Sequence, residues 1–376
     1  MPAAGPTLTD RQRLNWLRLI RSENVGPASF RNLINRFGSA ETALAALPEL
    51  ALAGGAKRLS RIPSEAEAMR ELEAAQRFGA RFAAVGEPDY PAMLRFMDPP
   101  PPLVAVKGNA GLFDRPSVSI VGARNASAAG ARMARLLARG LGQAGYTVVS
   151  GLARGIDAAA HEASLETGTV AVLAGGLDRP YPPENVPLAG RIAAEGALIS
   201  EMPFGWEPRA RDFPRRNRLV AGLGLGLVVV EAARRSGSLI SARLAGEIGR
   251  LVFAVPGSPL DPRAEGTNGL IKEGAILVTE ARDVVEALAP LAGGEARLPM
   301  PAMEEAEDLS AVPPPAEGER AVVLEALGPT PVQIDELLRH TKLHPAQLAM
   351  VLLELDLAGR LERHAGGAVS LVFADP

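Results

Sequence analysis

The feature that most constrains the fold is a rhythm. Short apolar runs recur at residues 103–106, 117–121, 146–150, 169–173, 197–200, 226–230, 251–255 and 275–278, and from 117 onward helical patterns fill the gaps. Apolar runs of four or five residues, bounded by turn residues, read as strands buried on both faces. Strands of that kind separated by helices predict an α/β fold: an extended Rossmann-like parallel sheet with helices on both sides. A ligand in such a sheet sits at the carboxyl ends of the strands, near the point where strand order reverses. The loops after those ends are where binding residues are expected.

Those loops are "GARNAS", "SGLARGIDAAAH", "AGGLDRPYPPEN", "SEMPFGWEPRARDFPRRNR", "EAARRSGSLISA" and "PGSPLDPRAEGTNGL". They are rich in Gly, Ser and Arg, and helices follow them. Helix N-termini beside arginines make an anion site, because exposed N–H groups and planar guanidinium forks both suit phosphate oxygens. The first loop opens like a dinucleotide-binding turn at Gly122, but Arg124 stands where the second glycine of G-x-G-x-x-G belongs. That leaves less room for pyrophosphate and adds positive charge, which suits the phosphate of a strand passing over the turn. Ser127 closes the same loop, and Arg154 lies in the next.

The densest charge cluster is Arg209, Arg211, Arg215, Arg216 and Arg218, with Asp212 the only acid among them and Trp206 and Phe213 interleaved. Guanidinium groups for a backbone and aromatic faces for bases are the ingredients of a single-strand channel. The plainer reading is a solvated helix start whose arginines pair with acids, with Arg218 a partner for Glu231 at the end of the run "LVVVE".

Composition narrows the rest. A chain of 376 residues is long enough for two or three domains, and the formal charge of −3 does not itself announce nucleic acid. There is no cysteine and only four scattered histidines, so a metal site is not expected, nor is a thiolate nucleophile. No G-x-S-x-G or G-x-x-x-x-G-K-[ST] occurs, and the serines of "RSGSLISA" read as a helix cap. The strand-end acids are Asp157, Asp178, Glu201 and Glu231. The N-terminus has no signal-peptide core and no apolar run is long enough to cross a bilayer, so a cytoplasmic protein with no membrane partner and no cofactor is expected.

Flanking segments complete the division. Residues 1–85 read as a helical domain, with a Val-Gly-Pro turn that fits a helix-hairpin-helix (SAM-like) unit or a plain helical bundle. The Rossmann-like part spans 86–290, and 291–317, rich in Pro, Ala and acids, reads as a flexible linker. Residues 318–376 read as a winged helix whose third helix, 344–358, carries Glu354 and Asp356. DNA contact and protein contact both stay open for that helix.

Seven motifs in order, "VGARNASAAG", "VVSGLARGIDAAAHEASL", "VAVLAGGLDRPYPPEN", "ISEMP", "FPRRNRLVAGL", "VVVEAARRSGSLISARLA" and "FAVPGSPLDPRAEGTNGLIKEGA", resemble the DprA/Smf family of bacterial DNA-processing proteins. The resemblance is strong over residues 90–280. It implies a non-enzymatic, dimeric protein that binds and protects incoming single-stranded DNA in natural transformation and helps load the recombinase RecA. It implies DNA contacts at Gly122, Arg124, Phe213, Arg215, Asn217 and Arg218. Arg209 or Arg211 would replace a lysine that some relatives carry, and Ser241 stands where threonine is usual. The alternative class is a Rossmann-like nucleoside-monophosphate hydrolase, which would need Glu231 or Glu247 as its carboxylate but lacks the P-G-G of that family. For the dimer, Leu270 and Ile271 beside the last strand are the expected contacts.

Overall fold

The computed structural model describes residues 7–292 and 315–372. Residues 293–314, most of the expected linker 291–317, lie outside the described residues. The chain forms two compact bodies, one running from Glu71 through the central sheet and the other joining Leu8–Arg70 to the C-terminal segment.

The first body is built on β1 (Ala80–Ala84), β2 (Leu103–Gly108), β3 (Ser117–Gly122), β4 (Thr147–Ser150), β5 (Thr169–Val172), β6 (Ala197–Ser200), β7 (Gly226–Val230), β8 (Leu251–Ala254) and β9 (Ile276–Leu277). They lie in the order β1-β2-β6-β5-β4-β3-β7-β8-β9. From β6 to β9 every pairing is parallel, whereas β2 runs antiparallel to β6 and β1 antiparallel to β2. Segment 1–85 was expected to be helical, but 80–84 is a strand. Its core-facing Phe82, Ala83 and Ala84 add an edge to the sheet.

Side chains alternate between two cores, as the period of a strand requires. Val118, Ile120, Val228 and Val230 face α5 (Ala128–Gln143), α6 (Ile156–Ser164) and α11 (Ala281–Ala292). Val121, Leu227 and Val229 face α8 (Asp212–Leu223) and α9 (Gly237–Glu247). The remaining helices of this body include α7 (Val186–Glu195) and α10 (Glu265–Lys272), while α4 (Glu65–Arg77) bridges the boundary at Arg70. Strand order reverses at β3, whose neighbours are β4 and β7.

In the second body, Thr9 caps α1 (Asp10–Ile20) in a reciprocal pair with Gln12. Pro27 opens α2 (Pro27–Phe37) and Ser39 caps α3 (Ala40–Ala53). The C-terminal part has α12 (Glu317–Ala326), α13 (Ile334–Thr341) and α14 (Pro345–Leu357), with a small sheet ordered β10 (Val332–Gln333), β12 (Ala368–Leu371), β11 (Leu361–Arg363). Three helices and a wing form the expected winged helix. Its third helix, however, is not a free surface. Leu348, Val351, Leu352 and Leu355 fill its own core. Glu354 is bound by both ends of the Arg320 fork at 2.7 and 2.8 Å. Asp356 accepts from Ser29 of α2 at 2.7 Å, and Asn24 donates to the Leu357 carbonyl at 3.0 Å. A Cβ at Gly54 would strike the Glu354 carbonyl, so α3 meets α14 backbone to backbone. The winged helix presents α14 to the N-terminal helices.

Candidate functional site

The turn after β3 is shaped by the end of β7. Gly122 lies opposite Val230, and a Cβ there would collide with the Val230 carbonyl. The next residue of β7's exit, Glu231, sits at φ 54° and turns its carboxylate back into the first loop. It accepts from the Ser127 N–H at 2.9 Å and from the Ser127 hydroxyl. Ser127 in turn caps α5 by accepting from Gly130 N–H at 2.9 Å, where any Cβ would meet the Glu231 carboxylate. Glu231 and Ser127 thus fix the loop, and Arg124 is exposed on it. The suggested Arg218–Glu231 pair does not form. Arg218 pairs with Glu201 at the end of β6, as does Arg215 at 2.9 Å.

The loop after β4 supplies the floor. Asp157, buried, accepts from the N–H groups of Gly151 at 3.1 Å and Ala153 at 3.3 Å. Across from it lies Arg216 of α8, 6% exposed. A Cβ at Gly151 would coincide with an Arg216 guanidinium nitrogen, so the glycine makes the space that the arginine fills. Burial raises the Asp157 carboxyl above its ordinary value, against the pull of Arg216 and the two N–H donors. Burial also draws Arg216 down to about 10, with Asp157 opposing, so Arg216 stays a cation at neutral pH. His161, buried behind them with Nδ1 2.7 Å from the Thr169 hydroxyl, falls to about 3 through burial and then the Arg216 charge.

These elements enclose a cleft of about 540 Å³ at the β3/β7 reversal, lined by Gly122, Arg124, Asp157, Arg216, Asn217 and the first turn of α9 at Ser236–Ser238. Arg235, Arg263 and Ser241 also border it. Of the residues expected from sequence, Gly122, Arg124 and Asn217 meet there. Phe213 stands beside them, with the Arg124 guanidinium 5.1 Å from its ring centre and Tyr181 edge-on at 5.7 Å. The others lie apart from the cleft. Arg209 stacks on Trp206 at 4.5 Å, Asp212 holds the Trp206 indole N–H at 2.9 Å, and Arg154 pairs with Glu184. Arg211 is exposed at the start of α8. Leu270 and Ile271 line a separate hollow of about 1290 Å³ beside β8 and β9.

Sequence reasoning missed Arg216 as a cleft residue. The signal was present: the family that the sequence resembles carries the segment F-P-x-R-N-R, and in "FPRRNR" Arg215 occupies its free position and Arg216 the fixed one. Arg235 and Arg263 gave no comparable signal. Among the described residues no cluster of His, Asp and Glu suits a metal, and no helix is long and apolar enough to cross a membrane.

Comparison with known proteins agrees along the chain. The family model described as DNA recombination-mediator protein A matches residues 81–289. A DprA-like N-terminal HHH domain matches residues 10–74, favouring the helix-hairpin-helix reading over a plain bundle, and a DprA winged helix domain matches 307–367. Protein Smf of Synechocystis is 32% identical over 96% of this chain and 98% of its own length. DNA processing protein DprA of Bacillus subtilis is 40% identical over 58% of this chain and 75% of its own. The structure of DNA processing protein A from Streptococcus pneumoniae superposes with a TM-score of 0.61 at 33% identity, covering 75% of this chain and 98% of that one. That of DNA processing protein A from Helicobacter pylori, described for its single-stranded DNA binding mode, gives 0.52 at 29% identity over 56% of this chain and 97% of that one. With its sheet body matched from end to end and both flanking domains matched in order, the chain belongs to the DprA/Smf family.

Proposed function

We propose that this chain binds single-stranded DNA without catalysing a reaction, protects it during natural transformation and recombination, and assists its transfer to RecA as a homodimer in the cytoplasm. The observation that carries the reading is the cleft. It gathers Arg124 and Arg216 at the strand ends, and the stacked guanidinium–aromatic pairs Arg124–Phe213 and Arg209–Trp206 lie along the same loops. Phosphates are held by guanidinium groups and helix N–H donors, and bases stack on the ring faces. In this reading Gly122, Arg124, Arg216 and Asn217, with Phe213 beside them, form the inner contact, and Ser127 acts in DNA binding through the loop it fixes. Arg215 and Arg218, held in place by Glu201, with Arg154, Arg209 and Arg211, form an outer track. Leu270 and Ile271 belong to the dimer contact.

The nucleoside-monophosphate hydrolase reading needs a carboxylate facing a sugar. Both oxygens of Glu231 are engaged by Ser127, and Glu247 pairs with Arg243 at 3.5 Å. Asp157 borders the cleft but already accepts two backbone N–H groups.

The test is a titration of labelled single strands and duplexes across salt concentration. Single strands should bind more tightly than duplex, with log affinity falling against log salt by about 0.7 for each phosphate neutralised. Equal affinity for both forms, or no dependence on salt, overturns the reading.

A further inference from the structure

Arg216 presents an electrostatic problem. Its Nε has no hydrogen-bond partner, its side chain is buried, and among the described residues no carboxylate lies within ion-pair distance of its guanidinium. Asp157 acts on it from beyond contact, and its own carboxyl is biased by burial toward the neutral form. A buried cation without a contacting counter-ion is strongly disfavoured, so an anionic ligand is the partner that completes it.

The surroundings specify what kind of anion. Arg124 and Arg235 border the same cleft and likewise have no carboxylate within ion-pair distance among the described residues, whereas Arg263 is tied to Asp261 at 3.0 and 3.1 Å. The N-terminal end of the eleven-residue helix α9 opens on the same space, with Gly237 and the mutually bonded Ser236 and Ser238 hydroxyls at its border. Three guanidinium groups therefore stand free of protein carboxylates. An internal phosphodiester brings one negative charge, while a phosphomonoester brings about 1.5 to 2 at neutral pH. Asp157 and Arg216 line the cleft, and its volume of about 540 Å³ is that of a site for one small ligand.

We propose that the β3/β7 cleft is a pocket for a nucleotide phosphomonoester, with Arg216 as its buried anchor and Arg124, Arg235 and the start of α9 completing the cradle. The nucleotide part of this assignment rests on the nucleic-acid reading above; the monoester part rests on the unpaired charge and the size of the cleft. Two sources share that chemistry, a 5′-phosphorylated strand end and a free mononucleotide.

The test uses the full chain and an oligothymidylate in three forms: 5′-phosphorylated, 5′-hydroxyl and circular. Thymidine 5′-monophosphate and thymidine serve as competitors. The phosphorylated strand should bind at least about tenfold more tightly than the other two, the scale of one or two charge-assisted hydrogen bonds. The monophosphate should compete where thymidine does not. Arg216→Gln should abolish the preference, and so should Arg235→Gln, which changes an exposed side chain and leaves the fold undisturbed. Competition by the monophosphate without an end preference assigns the pocket to free mononucleotides. Equal binding of all three strands with no competition overturns the proposal and leaves single-strand binding standing. If no strand binds, the nucleic-acid reading falls instead.

Discussion

Gly151 and Arg216 act as one device. The absent side chain of the glycine is the space in which the guanidinium lies. Gly151→Ala should therefore push Arg216 out of the cleft floor, costing about 1–3 kcal/mol as overpacking does. It should also weaken single-strand binding about tenfold or more; unchanged melting and unchanged anisotropy titrations would show that the arginine is not seated there. His161, next in the same buried group, makes a pH prediction. Its folded value of about 3 lies below its ordinary 6.5, so the unfolded chain takes up a proton first as pH falls. The contribution of the neutral imidazole is complete above pH 6.5. It is lost toward pH 3 at up to about 1.4 kcal/mol per unit. Asp157 works against this, because its raised carboxyl favours the folded state on acidification. The clean readout is thus the difference between wild type and His161→Gln. The gap between their melting temperatures should shrink as pH falls from 6.5, and a constant gap would mean that His161 titrates normally.

At the level of elements, α14 is held by features distant in sequence. Gly54, Asn24 and Ser29 reach it from the N-terminal helices, and Arg360 returns a hydrogen bond to the Gly54 carbonyl at 3.1 Å. Gly54→Val places a side chain against the Glu354 carbonyl and should destabilise this body by about 1–3 kcal/mol, read as faster limited proteolysis within 8–70 and 315–372. Proteolysis at the wild-type rate would mean that the two segments do not clasp. The strands of the sheet were legible from runs such as 227–230, apolar without polar alternation as burial on both faces demands, and in β3 the buried Ser119 is satisfied by the Val220 carbonyl. The short edge strand β1 was not, since "ARFAA" lies between a helical pattern and a proline-rich joint and gains its hydrogen bonds only from β2. The acids of α14 left DNA contact and protein contact both open in the sequence, and in the structure they are engaged within this body, Glu354 by Arg320 and Asp356 by Ser29. That Glu354 is an interior ion pair with Arg320, 34 residues away, depends on a contact that periodicity does not report. Likewise, periodicity does not show which of five clustered arginines turns inward.

For the whole molecule, the open question is what covers the far end of the sheet. β9 is only two residues long and lies at the edge, with Leu277 48% exposed. Leu270 and Ile271 line the apolar hollow next to it. An open edge with an exposed leucine invites pairing with another chain, and a twofold partner would cover it with the same surface. Leu277→Arg in the full chain should therefore give a monomer at micromolar concentration by light scattering, with an unchanged melting temperature for the sheet body. The consequence for binding follows from geometry. A dimer carries two outer arginine tracks, so once one protomer is engaged the partner's track meets the same long strand at a raised effective concentration. Leu277→Arg should then lose affinity for long single strands by tenfold or more while binding short ones nearly as wild type does. A truncation to residues 71–292, which keeps the sheet edge, should remain dimeric. A monomeric truncation, or a Leu277→Arg protein that stays dimeric, would move the interface away from β9 and remove the argument for two coupled tracks.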